Sequence, residues 1–231
     1  MNLKYNHVAA VILAAGKSER MGLGTPKHLL ELCGDTVIRH TVRAFENAET
    51  IDSIVVVVGS EQVEGLRAAL SDFKKVVAVV SGAGARTESA RCGFMAIPDG
   101  TDMVAIHDGA RCLVTAQIID KVVRAAKEHG AATAGTYATD TVKYAEDGEI
   151  RKTLPRENLF MAHTPQVFAR ELYGKALCTA EDLALFTDDN SLVENIGKSV
   201  LCVETGRNNL KLTTQDDLLY AEFLLKQRGI K

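Results

Sequence analysis

The sequence has no apolar run long enough to cross a bilayer. Its longest, residues 8–15 and 54–58, fall far short of the ~20 residues that a spanning helix needs. It shows no signal segment: the opening residues are polar and lead straight into a strand-like run, with no cleavage site behind them. Paired cysteines are missing too. Cys33, Cys92, Cys112, Cys178 and Cys202 are scattered, with no CxxC and no mixed Cys/His spacing, so neither a zinc site nor a disulfide framework is expected. Reduced thiols in the cytoplasm are the expectation instead. The six histidines carry no metal spacing either. Finally, there is no excess of positive charge. A formal net charge of −3 argues against a general nucleic-acid binder, which needs a basic face to neutralise phosphates. A local basic pocket for a small phosphate ligand is compatible with it.

What is present is the composition of a globular chain, 46% hydrophobic and 25% charged over 231 residues, enough for one large α/β domain with a sizeable core. No internal repeat, low-complexity stretch or flexible linker divides it, so residues 1–231 read as a single domain. Strand-like runs rich in Val and Ile fall at residues 8–13, 53–58, 76–80, 103–107, 131–137 and 200–204. They are apolar on both faces, as buried strands of a mostly parallel sheet are. Amphipathic helices alternate with them. One carries Ile118, Ile119, Val122, Val123 and Ala126 on one face, with Thr115 as N-cap and Gly130 just past its end. Another carries Val37, Ile38, Val42 and Phe45; the last starts near Thr213 or Thr214 and runs to about Gln227. This alternation predicts a doubly wound α/β sandwich with ligands beyond the carboxyl ends of its strands. Residues 139–165 break the rhythm. Polar extended runs at 141–144 and 149–153, joined by Glu146-Asp147-Gly148, predict a β-hairpin arm projecting from the sheet. An arm with no core of its own needs something to pack on, and a second subunit is the natural candidate.

The strongest local signal is the run Leu13-Ala14-Ala15-Gly16-Lys17-Ser18-Glu19-Arg20-Met21-Gly22, followed by Thr25-Pro26-Lys27. It begins where the first strand ends. Small residues let the backbone approach a ligand, and successive N–H groups can cradle phosphate oxygens. Arg20 and Lys27 add two cations. Two commoner phosphate motifs are excluded. Gly16-Lys17-Ser18 imitates the end of a P-loop, but the required earlier glycine is Val11; a GxGxxG reading would need glycine at Lys27 or at Thr87. Taken alone, the loop is also compatible with an ordinary strand-to-helix turn bearing solvated charges.

With other segments, in order along nearly the whole chain, this loop resembles the 2-C-methyl-D-erythritol 4-phosphate cytidylyltransferases, the 4-diphosphocytidyl-2-C-methylerythritol synthases. The elements are the 14–27 loop, Gly82 with Arg86 and Ser89, His107-Asp108-Gly109-Ala110-Arg111, Asp140-Thr141-Val142-Lys143, Arg156, Thr164-Pro165-Gln166, Thr187-Asp188, and Gly206-Arg207 through Lys211. The resemblance implies a Rossmann-like nucleotidyltransferase fold. It implies that Arg20, Lys27 and Lys211 are catalytic, stabilising charge on the α-phosphate. Ala14, Ala15, Gly16, Gly82, Ala83, Ser89 and Asp108 would bind CTP, the Gly82 loop reading cytosine through backbone groups and the Ser89 hydroxyl. Asp108, Arg111, Thr141, Arg156, Thr164 and Thr187 would bind the acceptor, with Arg156 reaching a neighbouring subunit's site across a homodimer. Lys143 lies on the same arm. This chain departs from the family's usual pattern at Ala83, where a second glycine is common, and at Gly109 and Cys112, where His-Asp-Ala-Ala-Arg-Pro is usual. Asp189 also stands where Glu is usual.

The implied reaction transfers CMP from CTP to 2-C-methyl-D-erythritol 4-phosphate with release of pyrophosphate, a step of isoprenoid precursor synthesis. A phosphate monoester with a second pKa near ~6 is already largely dianionic at neutral pH, so no general base is required. Mg²⁺ is the expected cofactor, held mainly by the CTP phosphates. The expected partners are CTP and a small polyol phosphate, with neither nucleic acid nor membrane. Ribitol 5-phosphate is the rival acceptor. A non-catalytic nucleotide-binding regulatory module is the rival of another class, disfavoured because mere binding does not demand cations around the α-phosphate.

Overall fold

The computed structural model describes residues 5–16 and 26–230. Its strands are β1 (Val8–Leu13), β2 (Glu31–Leu32), β3 (Asp35–Thr36), β4 (Ser53–Val58), β5 (Val76–Ser81), β6 (Met103–Asp108), β7 (Ala131–Tyr137), β8 (Lys143–Glu146), β9 (Glu149–Thr153), β10 (Phe160–Ala169) and β11 (Leu201–Glu204). The helices are α1 (Val37–Glu46), α2 (Val63–Ala69), α3 (Arg86–Met95), α4 (Ala116–His129), α5 (Arg170–Thr179), α6 (Asp189–Asn195) and α7 (Gln215–Gln227). Seven strands form one sheet in the order β11-β7-β10-β6-β1-β4-β5. Every pairing in it is parallel except those of β10 with β6 and β7.

The six expected strands are all in this sheet. β1, β4 and β6 are buried along their whole length, because helices cover both faces. Val8, Ala10 and Ile12 face the side packed by Ile38, Val42 and Phe45 of α1 and Ile119, Val122 and Val123 of α4. Ala9, Val11 and Leu13 face the side packed by Ala90 of α3, Tyr173 and Ala176 of α5, and Leu192 of α6. The period-2 alternation of a strand thus feeds two cores at once. A third cluster anchors α7 through Ala221 and Leu225 onto Leu32, Val37, Ala110, Cys112, Leu113 and Leu212. Capping signals hold at residue level. The Thr115 side chain accepts from the Ile118 N–H, Gly130 takes φ +85° at the end of α4, and Thr214 accepts from the Asp217 N–H to start α7. Among the described residues no helix is long and apolar enough to cross a membrane.

Two features differ from the sequence expectation. The first arm strand is β8 at Lys143–Glu146, two residues later than residues 141–144, while β9 falls where expected. Asp147 and Gly148 both take positive φ, 52° and 79°, and that pair closes the hairpin as a two-residue turn demands. The second is β10, which the sequence reading did not contain. Its first half lies inside residues 139–165, so that span holds both the arm and part of the main sheet. A proline inside an interior strand argues against strand on the usual rules. Here Pro165 falls at the register shift between Ala162 and Gln166 in the pairing with β7, where no ladder N–H is required.

Candidate active site

β1 pairs with β6 on one side and with β4 on the other, and the chain winds outward from β1 in both directions. The sheet's switch point therefore lies at the carboxyl ends of β1 and β6, where ligands bind in such folds. β1 delivers Ala14, Ala15 and Gly16, and β6 ends on Asp108. The Ala14 N–H bonds to the Val57 carbonyl at 2.7 Å, and the Gly109 N–H bonds to the Leu13 carbonyl at 2.8 Å, so three strand ends are stitched into one ledge. Gly109 suits its place. A Cβ there would sit 3.0 Å from the Leu13 oxygen and 3.2 Å from Ala14 Cβ, tight even for alanine.

Asp108 is the hub. It is 7% exposed, and one carboxylate oxygen meets Arg86 Nε at 3.0 Å while the other meets Lys211 Nζ at 3.0 Å and Arg111 Nε at 3.5 Å. Burial by itself would raise its pKa; Arg86, Lys211 and Arg111 outweigh burial and hold the carboxyl well below the usual range. Arg86 continues to Asp189, 2.6 Å away and fully buried. Burial disfavours the Arg86 charge, but Asp189 and Asp108 more than compensate and raise its pKa. Burial lowers the pKa of Arg111, with Asp108 opposing; a guanidinium stays protonated regardless. Asp189 also accepts from the Tyr173 hydroxyl at 2.5 Å, and Asp188 accepts from Gln166 Nε2 at 2.7 Å while capping α6. Three cations, Arg86, Arg111 and Lys211, thus meet two buried carboxylates. The cluster is partly desolvated, and Lys27 lies beside Lys211 at its edge.

A hydrogen-bond chain orients the hub. The Asp108 N–H donates to Thr164 Oγ1 at 3.0 Å, so the threonine proton goes to His107 Nδ1, also 3.0 Å away. His107 Nε2 then carries the ring proton and donates to the Arg111 carbonyl at 3.4 Å. Burial pushes the pKa of His107 down from 6.5 to about 3, which keeps the imidazole neutral and this tautomer in place. His107 thus holds the Thr164 hydroxyl behind Asp108.

The structure brings together many of the residues that the sequence singled out. Lys27 donates to the Leu212 carbonyl at 3.3 Å, beside Lys211. Gly82 packs against the loop that follows β1: a Cβ there would lie 2.7 Å from both Ala15 Cβ and Ser89 Oγ. Ser89 Oγ accepts from the Ala83 N–H at 3.0 Å and donates to the Ala83 carbonyl at 3.2 Å, so this buried hydroxyl braces the Gly82 loop while Ala83 is exposed. Thr164 is buried behind Asp108. Thr187 is exposed just before α6. Arg20 lies outside the described residues. The arm stands apart. Thr141 is exposed, Lys143 bonds to Thr153 and Arg156 to the Thr139 carbonyl; among the described residues no hydrogen bond or ion pair joins these three to the Asp108 cluster. Cys112, where proline is usual, is a buried part of the α7 cluster, and burial pushes its thiol up to about 12. Sequence reasoning assigned no role to Asp189, Tyr173, Gln166 or Asn209. Acids at a helix start read as caps, and partners far apart along the chain carry no local signal.

Among the described residues no group of three His, Cys, Asp or Glu side chains is placed to hold a metal ion. The profile of the family described as IspD, 2-C-methyl-D-erythritol 4-phosphate cytidylyltransferase, matches residues 8–227. The chain is 38% identical over 226 residues to the protein of that name from Shouchella clausii, covering 95% of this chain and 97% of the relative. It is 36% identical over 225 residues to the one from Alkaliphilus oremlandii, covering 95% of each. The crystal structure of 4-diphosphocytidyl-2C-methyl-D-erythritol synthase from Anaerococcus prevotii superposes with a TM-score of 0.84 at 25% identity, over 96% of this chain and 100% of that one. A match of this length, on a sheet that gathers the motif residues at its switch point, means that the chain belongs to the IspD family of 2-C-methyl-D-erythritol 4-phosphate cytidylyltransferases.

Proposed function

We propose that this enzyme transfers CMP from CTP to 2-C-methyl-D-erythritol 4-phosphate, giving 4-diphosphocytidyl-2-C-methyl-D-erythritol and pyrophosphate for isoprenoid synthesis. The observation that carries the reading is the cationic cluster around Asp108 at the carboxyl ends of β1 and β6. CTP lies over the ledge formed by Ala14, Ala15, Gly16, Gly82 and Ala83. The acceptor phosphate attacks the α-phosphate in line as its own dianion, so the protein supplies position and charge rather than a base. Lys27 and Lys211, joined through the 211–212 backbone, face the α-phosphate; Arg20, which lies outside the described residues, belongs to the same proposed set. Placed cations in a partly desolvated site are the main means of stabilising the charge that grows there.

Mg²⁺ belongs to this proposal. The donor set fits an ion carried in by the triphosphate, since magnesium keeps substrate phosphates and water as most of its ligands; both oxygens of Asp108 already meet cations of the protein. When bound, the ion would supply positive charge to the triphosphate. Arg111 and Thr187 frame the acceptor side, with Thr164 bracing Asp108 from behind, and the arm supplies Thr141 and Arg156 to a second copy's site in a homodimer. The fully exposed β8–β9 hairpin supports that assembly, because a lone two-stranded hairpin is marginal in water. The proposed setting is the cytoplasm, where the five unpaired thiols stay reduced.

The test is pyrophosphate release with CTP, Mg²⁺ and each of two acceptors at equal concentration. Release with methylerythritol phosphate at the higher kcat/KM is expected. A preference for ribitol 5-phosphate overturns the acceptor, and no release with either overturns the reaction.

A further inference from the structure

Residues 205–213, which carry Lys211, form neither helix nor strand. No ladder fixes the backbone of such a segment, so its shape depends on the tertiary bonds it makes. A lysine has four rotatable side-chain bonds, and an unfixed backbone beneath it would spread its ammonium over several ångströms. Yet Lys211 Nζ is held 3.0 Å from Asp108 with a third of its side chain exposed. Something must pin the backbone.

Asn209 is fully buried in this irregular segment, an unusual place for an amide. Its Nδ2 donates to the Thr164 carbonyl at 2.7 Å, and its backbone carbonyl accepts from Arg111 Nη1 at 2.8 Å. Beyond Lys211, the Leu212 N–H donates to the Ala110 carbonyl at 2.9 Å. The lysine therefore sits between two anchor points, one on each side. Asn209 supplies the only side chain among those anchors that grips β10. It grips the residue whose hydroxyl takes the Asp108 N–H. One amide thus links the segment carrying Lys211 to the backbone carrying Asp108, and the spacing of cation and carboxylate follows from that link. The Asn209 Oδ1 is buried with no hydrogen-bond partner among the described residues. A residue kept only for packing would be apolar here.

We propose that Asn209 is a positioning residue that sets Lys211 for turnover by tying residues 209–212 to β10 at Thr164. This rests on the reading of Lys211 as a group acting on the α-phosphate. Its effect passes through Lys211 and vanishes when Lys211 is gone.

The test is a double-mutant cycle on the full-length enzyme. Asn209→Ala, Asn209→Leu, Lys211→Ala and Asn209→Ala/Lys211→Ala are compared by kcat, by KM for CTP and by thermal melting. Asn209→Leu keeps volume and removes the unpartnered oxygen with the donor, so it carries the cycle should the alanine variant fail to fold. Each single Asn209 variant is expected to lose roughly tenfold in kcat with KM for CTP within about threefold. In the Lys211→Ala background the same change is expected to cost less than about twofold. A kcat within about twofold of wild type for a folded Asn209 variant overturns the proposal, as does a full, independent loss in the Lys211→Ala background. Wild-type turnover by Lys211→Ala alone overturns the reading of Lys211, and that single variant tells the two failures apart.

Discussion

The neutral, buried His107 makes a prediction about stability against pH. Its pKa falls from 6.5 to about 3 in the folded chain, burial first, with Asp108 opposing and Arg111 and Arg86 adding to the fall. The unfolded chain therefore takes up a proton below about pH 6.5 that the native state refuses, so stability is complete above 6.5 and declines as pH drops towards 3. At about pH 5 the gap is roughly 1.5 units, or about 2 kcal/mol, and its limit near pH 3 is about 5 kcal/mol. Two kcal/mol is a sizeable part of the ~5–15 kcal/mol typical of a domain. His28 and His163 are also lowered chiefly by burial and add to the same trend, so the wild-type slope alone is not diagnostic. Urea denaturation of wild type and His107→Asn at about pH 7.5 and pH 5 isolates the residue. The variant starts less stable, because Phe45 packs on the imidazole with ring centroids 4.9 Å apart. It should then lose about 2 kcal/mol less than wild type between the two pH values. Equal losses in both proteins would refute the argument that His107 is held neutral by its site.

Lys27→Ala should cut kcat by about two orders of magnitude, close to 3 kcal/mol, with little change in KM for CTP; near-wild-type turnover removes Lys27 from the catalytic set. Mixing inactive Lys27→Ala protomers with inactive Arg156→Ala protomers should restore partial activity, since each hybrid dimer holds one intact site; no recovery despite proven subunit exchange ends the shared-site idea. Gly82→Ala should raise KM for CTP and erode its preference over UTP, because the new Cβ would press within 2.7 Å of Ala15 and Ser89 and 3.1 Å of Val57. Overpacking of this kind typically costs about 1–3 kcal/mol; unchanged kinetics with both nucleotides would show that the two loops do not jointly shape the base site.

The sequence by itself determined six of the seven strands of the main sheet and three of the helices, because the signals are local. Val- and Ile-rich runs, the Thr115 and Thr214 caps and the left-handed Gly130 act within a few residues of themselves. It also singled out the candidate loops, since the ordered motifs from Ala14 to Lys211 are written along the chain. β10 escaped because Pro165 reads as a break, and only the neighbouring strands make that break a register shift. The wiring of the site was likewise out of reach. Arg86 meets Asp189 across 103 residues, Arg111 meets Asn209 across 98, and Asp108 meets Thr164 across 56. Ser89, expected to read a base, braces its own loop, a bond the sequence did not show. Charge and hydrogen bonding act through space, so which donor finds which acceptor is decided only once the strand ends are packed side by side.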